Sequence, residues 1–175
     1  MALISLISEE KAYKTLGLIY SSIKERMGFI PNSLKLFAQN QGILANTLKI
    51  FESYAGGSNI NANIFPIIRY AVAHAKGSTY CINMNSKVLK KYGFDESLVD
   101  SAHGHWTQFP ISEKEKELIG FAVKVATDAE NVCADDVDRL KNLGWSEKDI
   151  YTASDQGARM LYGSALLKAF KVELD

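Results

Sequence analysis

Apolar residues return at the spacing of an α-helix along almost the whole chain, and glycines or turn residues close each run, which leaves little room for any fold but a helical one. Leu16, Ile19, Tyr20, Ile23 and Met27 share one face after a start signal at Ser8-Glu9-Glu10, and Gly28 follows as a stop. Phe29-Ile30-Pro31-Asn32-Ser33 reads as a turn into a short helix ending near Gln39. A longer helix from about Gly42 presents Leu44, Leu48, Phe51 and Tyr54 before Ala55-Gly56-Gly57-Ser58 breaks it. The next runs from about Asn63 to Ala75, with Ile67, Ala71, His74 and Ala75 near one face. Pro66 fits only within its first turn, where no intrahelical donor is lost.

A fifth helix is expected from Ser78 to the stop at Gly93, with Cys81, Met84, Val88 and Tyr92 as its stripe. A short helix around Glu96 and Ser101 leads into the loop from His103 to Pro110, and Ser112 with Glu115 spells a capping box. Leu118, Phe121, Ala122 and Val125 line the helix it opens; Asp135 to Leu143, stopped by Gly144, forms another. Ser146 opens a last helix in which Ile150, Ala153, Gly157, Met160, Leu161, Ser164 and Leu167 keep the helical period. Strand-like alternation is scarce, and no tandem repeat or Pro-rich linker divides the chain. The expectation is an all-α, bundle-like fold forming a single domain over residues 1–175. Gly157, Ala158, Gly163, Ser164 and Ala165 give the last helix a small-residue surface that suits close packing within the chain or an oligomer seam.

Twenty basic and twenty acidic residues cancel without large blocks of either sign, so the electrostatic footprint of a nucleic-acid or anionic-membrane partner is missing. A small neutral molecule or another protein is the expected partner. The apolar opening Met1-Ala2-Leu3-Ile4-Ser5-Leu6-Ile7 lacks a basic lead and runs into Glu9-Glu10, unlike a secretory signal. No stretch approaches the roughly 20 apolar residues of a membrane span. Two cysteines are too few for a disulfide framework, and a cytoplasmic protein would keep both as thiols.

The chemistry centres on Lys76-Gly77-Ser78-Thr79-Tyr80-Cys81. With Ser78 as N-cap, Cys81 is the third helical residue, where unpaired backbone N–H groups and the helix dipole favour a thiolate. An anion there gains roughly 0.3–1 kcal/mol when exposed and up to about 2 when partly buried, equivalent to as much as about one and a half pKa units. His74 ends the preceding helix, and the chain reverses within a few residues, so a Cys81–His74 pair across the turn is one reading. The other is structural: a cysteine on an apolar stripe is commonly an inert small hydrophobe, and a histidine on such a face a satisfied core residue.

His103-Gly104-His105 offers two imidazoles, with His74 as a third, but no carboxylate pattern supports a metal site, and neither metal nor cofactor is expected. Cys133 lies in Glu130-Asn131-Val132-Cys133-Ala134-Asp135-Asp136, acidic surroundings that disfavour a thiolate. No P-loop, dinucleotide fingerprint, Gly-x-Ser-x-Gly elbow or His-Glu-x-x-His occurs.

From about Met27 to Phe170 the chain resembles the alkylhydroperoxidase D-like branch of the carboxymuconolactone decarboxylase superfamily. Gly28-Phe29-Ile30-Pro31-Asn32 resembles that family's Val-Pro-Asn turn. Ile68-Arg69-Tyr70-Ala71-Val72-Ala73-His74-Ala75-Lys76-Gly77 resembles the helix before its Asn-Gly-Cys-x-Tyr-Cys motif, whose end Tyr80-Cys81 matches. The resemblance implies a homo-oligomer. In the peroxidase members a Glu, two cysteines and a His relay protons and electrons; by spacing these fall on Pro66, Ser78, Cys81 and Asn85. Only Cys81 is retained, so the two-cysteine cycle is lost. What remains implied is a one-cysteine peroxide reduction or thiol redox sensing at Cys81, with Ser78 as hydrogen-bond donor, His74 as partial replacement for the base, and an external thiol as reductant. The rival expectation is a catalytically inactive pocket for a small apolar ligand or partner. A decarboxylase-like lyase is weaker still, because its catalytic histidine has no clear counterpart.

Overall fold

The structure, a computed structural model, describes residues 2–175, the side chain of Ala55 excepted; Met1, the start of the apolar opening, lies outside the described residues. Among the described residues there are helices and no strands. The elements are α1 (Thr15–Met27), α2 (Asn32–Phe37), α3 (Gln41–Ala55), α4 (Ile64–Ala75), α5 (Thr79–Lys91), α6 (Glu96–Ser101), α7 (Glu113–Thr127), α8 (Ala134–Asn142) and α9 (Glu147–Ala169). The all-α expectation is met. The packing groups these elements into two compact units, one of Met1–Gly56 with Leu166–Asp175, the other of Gly57–Ala165.

In the first unit the stripe of α1 does what its period dictates: Leu16, Tyr20 and Ile23 are buried with Ile30, Leu34, Ala38 and Leu44, and Ile19, Met27 and Leu48 pack against them. Tyr20 keeps its hydroxyl paired inside this cluster by donating to the Ile7 carbonyl at 2.8 Å. Gly28 ends α1 with φ at +87°, a conformation that L side chains rarely adopt. The Ser8 signal starts a 3-10 turn, Glu9–Lys11, rather than α1, which begins four residues later behind Lys14 at φ +52°. Phe51, expected on the buried stripe of α3, is 41% exposed.

In the second unit α4 is the central element. Ile64 to Ile68 and Tyr70 to Ala73 are all buried, so the helix is covered on nearly every side, and Pro66 sits in its first turn. Both α5 and α7 pack against it. The α7 capping box is present: Ser112 Oγ accepts from the Glu115 N–H at 3.3 Å, and Glu115 Oε2 accepts from the Ser112 N–H at 2.9 Å. Burial pushes the Glu115 carboxyl up, but bonds from Ser112 and Asn61 and the charge of Lys114 outweigh it and leave the group below its usual range. Ser146 and Asp149 make the same reciprocal bonds at the start of α9, at 3.1 Å each.

The small-residue surface of α9 is used within the chain at Gly157. A Cβ there would lie 2.6 Å from the Ala122 carbonyl oxygen on α7, whereas one at Gly163 would meet nothing within 4 Å. Because the obstacle is helical backbone, Gly157→Ala is expected to lose about 1–3 kcal/mol of stability, read as a lowered denaturation midpoint. Gly163→Ala is the matched control and should not lower it.

Candidate functional site around Cys81

The turn between α4 and α5 is tight. Gly77 takes φ +57°, and the Ser78 N–H donates to the Ala73 carbonyl at 2.9 Å, closing the end of α4. Ser78 then stands at the N-cap of α5 and Cys81 is its third residue, as the spacing predicts. Ser78 is 1% exposed, yet its hydroxyl makes no cap bond and has no hydrogen-bond partner. A buried hydroxyl without a partner retains its full desolvation cost, so this donor is held in reserve next to the first turn.

Cys81 is 4% exposed. The face it shares differs from the expected stripe: Tyr80, Cys81, Asn85 and Leu89 are buried, whereas Tyr92 is 52% exposed and Met84 and Val88 are only partly covered. The inward row is therefore 81, 85 and 89, an i, i+4, i+8 series, and it includes a polar residue. Asn85 satisfies its amide on both sides: its nitrogen donates to the Cys81 carbonyl at 2.8 Å, and its oxygen accepts from Arg69 Nε at 2.8 Å. Arg69 Nη1 donates at 3.1 Å to Oε1 of Gln156, a fully buried residue on α9 whose amide nitrogen has no partner. An internal polar chain thus runs from the cysteine backbone through Asn85 and Arg69 to Gln156.

His74 points elsewhere. Its ring lies edge-on to Tyr70 with centroids 4.5 Å apart and 6.4 Å from the ring of His103, and the Gly104 backbone presses on its Cβ. Nε2 of His74 is buried without a hydrogen-bond partner, and no hydrogen bond joins His74 to Cys81 among the described residues. Burial, then the proximity of His103 and His105, holds the His74 imidazole below its ordinary pKa. The three histidines do converge, but among the described residues no group of three His, Cys, Asp or Glu is placed to hold a metal ion. The two cysteines are not joined: Cys81 is buried, and Cys133, at the surface, caps α8 with its backbone N–H bonded to Asp136 at 3.1 Å.

A cavity of about 300 Å³ lies away from this site, between Trp106, Phe121, Lys124, Asp136 and Arg139. Its charges pair internally: Lys124 and Arg139 both hold Asp136, at 2.5 and 2.7 Å, and the bond from Lys124 chiefly pulls that carboxyl down to about 2. None of its lining residues comes from α4 or α5.

Arg69 and Gln156 escaped the sequence reading as site residues. The available signal was an arginine inside an otherwise apolar helix, whose guanidinium needs buried acceptors, and a glutamine three residues beyond Ala153 on the inward face of α9.

This arrangement has known counterparts. The fold is that of the alkylhydroperoxidase D-like proteins. An uncharacterized peroxidase-related protein from Silicibacter sp. TM1040 matches with a TM-score of 0.88 at 16% identity, over 99% of this chain and 92% of that one. An alkylhydroperoxidase AhpD core protein from Ralstonia eutropha JMP134, also described as peroxidase-related, gives 0.88 at 14% identity with the same coverage. The debrominase Bmp8, as a Cys-to-Ala variant in complex with 2,3,4-tribromopyrrole, gives 0.82 at 16% identity over 100% of this chain and 92% of its own. No protein-family profile and no curated protein matches the sequence. No helix among the described residues is long and apolar enough to cross a membrane.

Proposed function

We propose that the chain is a divergent, oligomeric alkylhydroperoxidase D-like protein of a reducing cytoplasm that uses Cys81 alone as a nucleophile toward a small electrophile, a hydroperoxide first of all. The observation behind this reading is the setting of the thiol. Cys81 opens a helix, at its third residue, beside a buried serine hydroxyl with no partner and a polar chain leading to a guanidinium. An inert packing cysteine needs none of these.

In the proposed cycle the Cys81 thiolate attacks the distal oxygen of ROOH. The O–O bond breaks, the sulfur becomes a sulfenic acid and the alcohol ROH leaves with a proton. An external thiol attacks the sulfenic sulfur, water leaves, and a second thiol resolves the mixed disulfide to return Cys81 and release an external disulfide. Ser78 supplies the hydrogen bond to the attacking sulfur. The near-complete burial of Cys81 restricts the reaction to small molecules. His74, expected as the auxiliary base, is assigned no proton transfer, because its ring packs on the His103 loop.

The rival reading, a binding protein without turnover, draws on Asn85. Both sides of its amide are occupied, and it has no proton to exchange at neutral pH, so the relay position it occupies is silent.

The test follows consumption of cumene hydroperoxide with dithiothreitol as reductant, and of 2,3,4-tribromopyrrole as a second electrophile, in wild type, Cys81→Ser and Cys133→Ser. Turnover is expected to persist in Cys133→Ser and fall to background in Cys81→Ser. Peroxide turnover that survives Cys81→Ser would refute the assignment. No turnover of either compound in folded wild type would favour the binding protein, and consumption of the bromopyrrole alone would keep the thiol while replacing the substrate.

A further inference from the structure

We infer that Arg69 is a positioning residue for the Cys81 thiol, acting through Asn85 and anchored by Gln156; the inference rests on the thiol reading above and supplies the activating charge that reading lacks. The burial that protects Cys81 from large reactants also disfavours its ionised form, so a buried nucleophilic thiol needs a compensating positive potential. The residues matching the relay positions of the related peroxidases provide none, since Pro66 and Asn85 do not titrate.

Arg69 fills that gap. It stands among Ile67, Ile68, Tyr70 and Ala71, all buried, in the middle of α4. The guanidinium is held there by two neutral amide oxygens, Asn85 Oδ1 at 2.8 Å and Gln156 Oε1 at 3.1 Å, and neither bond cancels its charge. Gln156 turns its oxygen to the guanidinium although this leaves its own buried amide nitrogen without a partner, an arrangement that makes sense only if fixing Arg69 outweighs that loss. Asn85 passes the constraint on: gripped by Arg69 on one side, it holds the Cys81 carbonyl at 2.8 Å on the other, fixing the first turn of α5. A permanent cation therefore lies two hydrogen bonds from the reacting residue. Arginine does not lose its proton in proteins, so the potential at the sulfur does not fade between pH 5 and 9 as a histidine's would.

The other charged groups on elements against α5 are accounted for. Glu96 and Asp100 on α6 are both bound by Lys90, near the far end of α5, at 2.7 and 3.0 Å. His74 at the end of α4 faces the loop of His103 and His105.

The experiment titrates the thiolate by its ultraviolet absorbance in a Cys133→Ser background, with Cys81→Ser subtracted, for Arg69→Met, Arg69→Lys and Gln156→Glu. Gln156→Glu keeps an acceptor for the guanidinium and neutralises it with a like-sized side chain, so it tests the charge even where Arg69→Met does not fold. Arg69→Met and Gln156→Glu are expected to raise the Cys81 midpoint by about one unit, roughly tenfold less thiolate at any pH well below it. Arg69→Lys, which retains the charge and loses the fork, should fall between them and the parent. A purely structural role would lower the melting temperature and leave the midpoint in place, so an unchanged midpoint in folded Gln156→Glu overturns the inference. The peroxide assay reads separately. A shifted midpoint without turnover would sink the peroxidase reading and sustain this one, and Cys81-dependent turnover with an unmoved midpoint would do the reverse.

Discussion

Phe109→Ala is expected to cost about 3–5 kcal/mol, the usual range for deleting a fully buried aromatic ring. Phe109 is 1% exposed at the end of the loop that begins with His103, and it is the hinge of an aromatic stack. Its ring meets Phe94 edge-on with centroids 5.2 Å apart and Tyr70 at 6.0 Å and 79°. Such pairs add about 0.5–1.5 kcal/mol beyond the area they bury. Tyr70 in turn donates to the Val99 carbonyl at 2.7 Å and carries His74 against its face, so the cavity would open beside the helix that presents Arg69. Against a typical total stability of about 5–15 kcal/mol, that loss removes a third or more of what holds the fold. Urea unfolding is the measurement. Phe109→Leu, which refills most of the space, should recover more than half of the loss, and a change under about 1 kcal/mol for Phe109→Ala would show that the loop closes over the gap.

Much of the fold was legible because helix ends are written locally. Gly28, Gly93 and Gly144 were each expected as stops, and each takes a left-handed conformation, at φ +87°, +88° and +84°. Ser112 and Glu115 announced α7 by a motif whose two bonds need no tertiary partner. Where the outcome depended on packing, the sequence was a poorer guide. Ser8-Glu9-Glu10 carries the composition of a helix start, but without a side-chain cap bond it yields only a 3-10 turn. The stripe of α5 was placed on 81, 84, 88 and 92, and the buried row is 81, 85 and 89. The period was right and the phase was wrong, because Asn85 reads as a surface residue until Arg69 and the Cys81 carbonyl satisfy it inside.

The site divides in the same way. That Cys81 is the third residue of a helix capped by position at Ser78 followed from four consecutive residues. That Ser78 would leave its hydroxyl unused, and that His74 would turn away toward His103, depends on backbone torsions at Gly77 and Gly104 and on contacts across the fold. The Arg69–Gln156 bond joins residues 87 positions apart, beyond the reach of any spacing rule.

The strained loop supplies the second large effect. Gly104→Ala is expected to destabilise the protein by about 2–4 kcal/mol, combining the cost of a left-handed L-residue with overpacking. Gly104 takes φ +86°, and a Cβ there would lie 2.5 Å from His74 Cβ and 2.9 Å from Cγ. His74 Cβ is fixed to the last turn of α4, so the loop must lift. Lifting it admits water to the ring, and the His74 pKa, held below 6.5 by burial and then by His103 and His105, should rise toward that ordinary value. The sign of the pH effect follows. A histidine with a depressed folded pKa favours folding in its neutral form, so its contribution is complete above about 6.5 and is lost as pH falls through the folded value. Wild type pays this acid penalty, and the variant, with His74 solvated, pays less of it. The destabilisation by Gly104→Ala should therefore be largest near pH 8 and shrink toward pH 5, which urea titrations at both ends would register. A difference independent of pH, with the His74 ring titrating as before in NMR spectra, would mean that the alanine is accommodated without moving the loop.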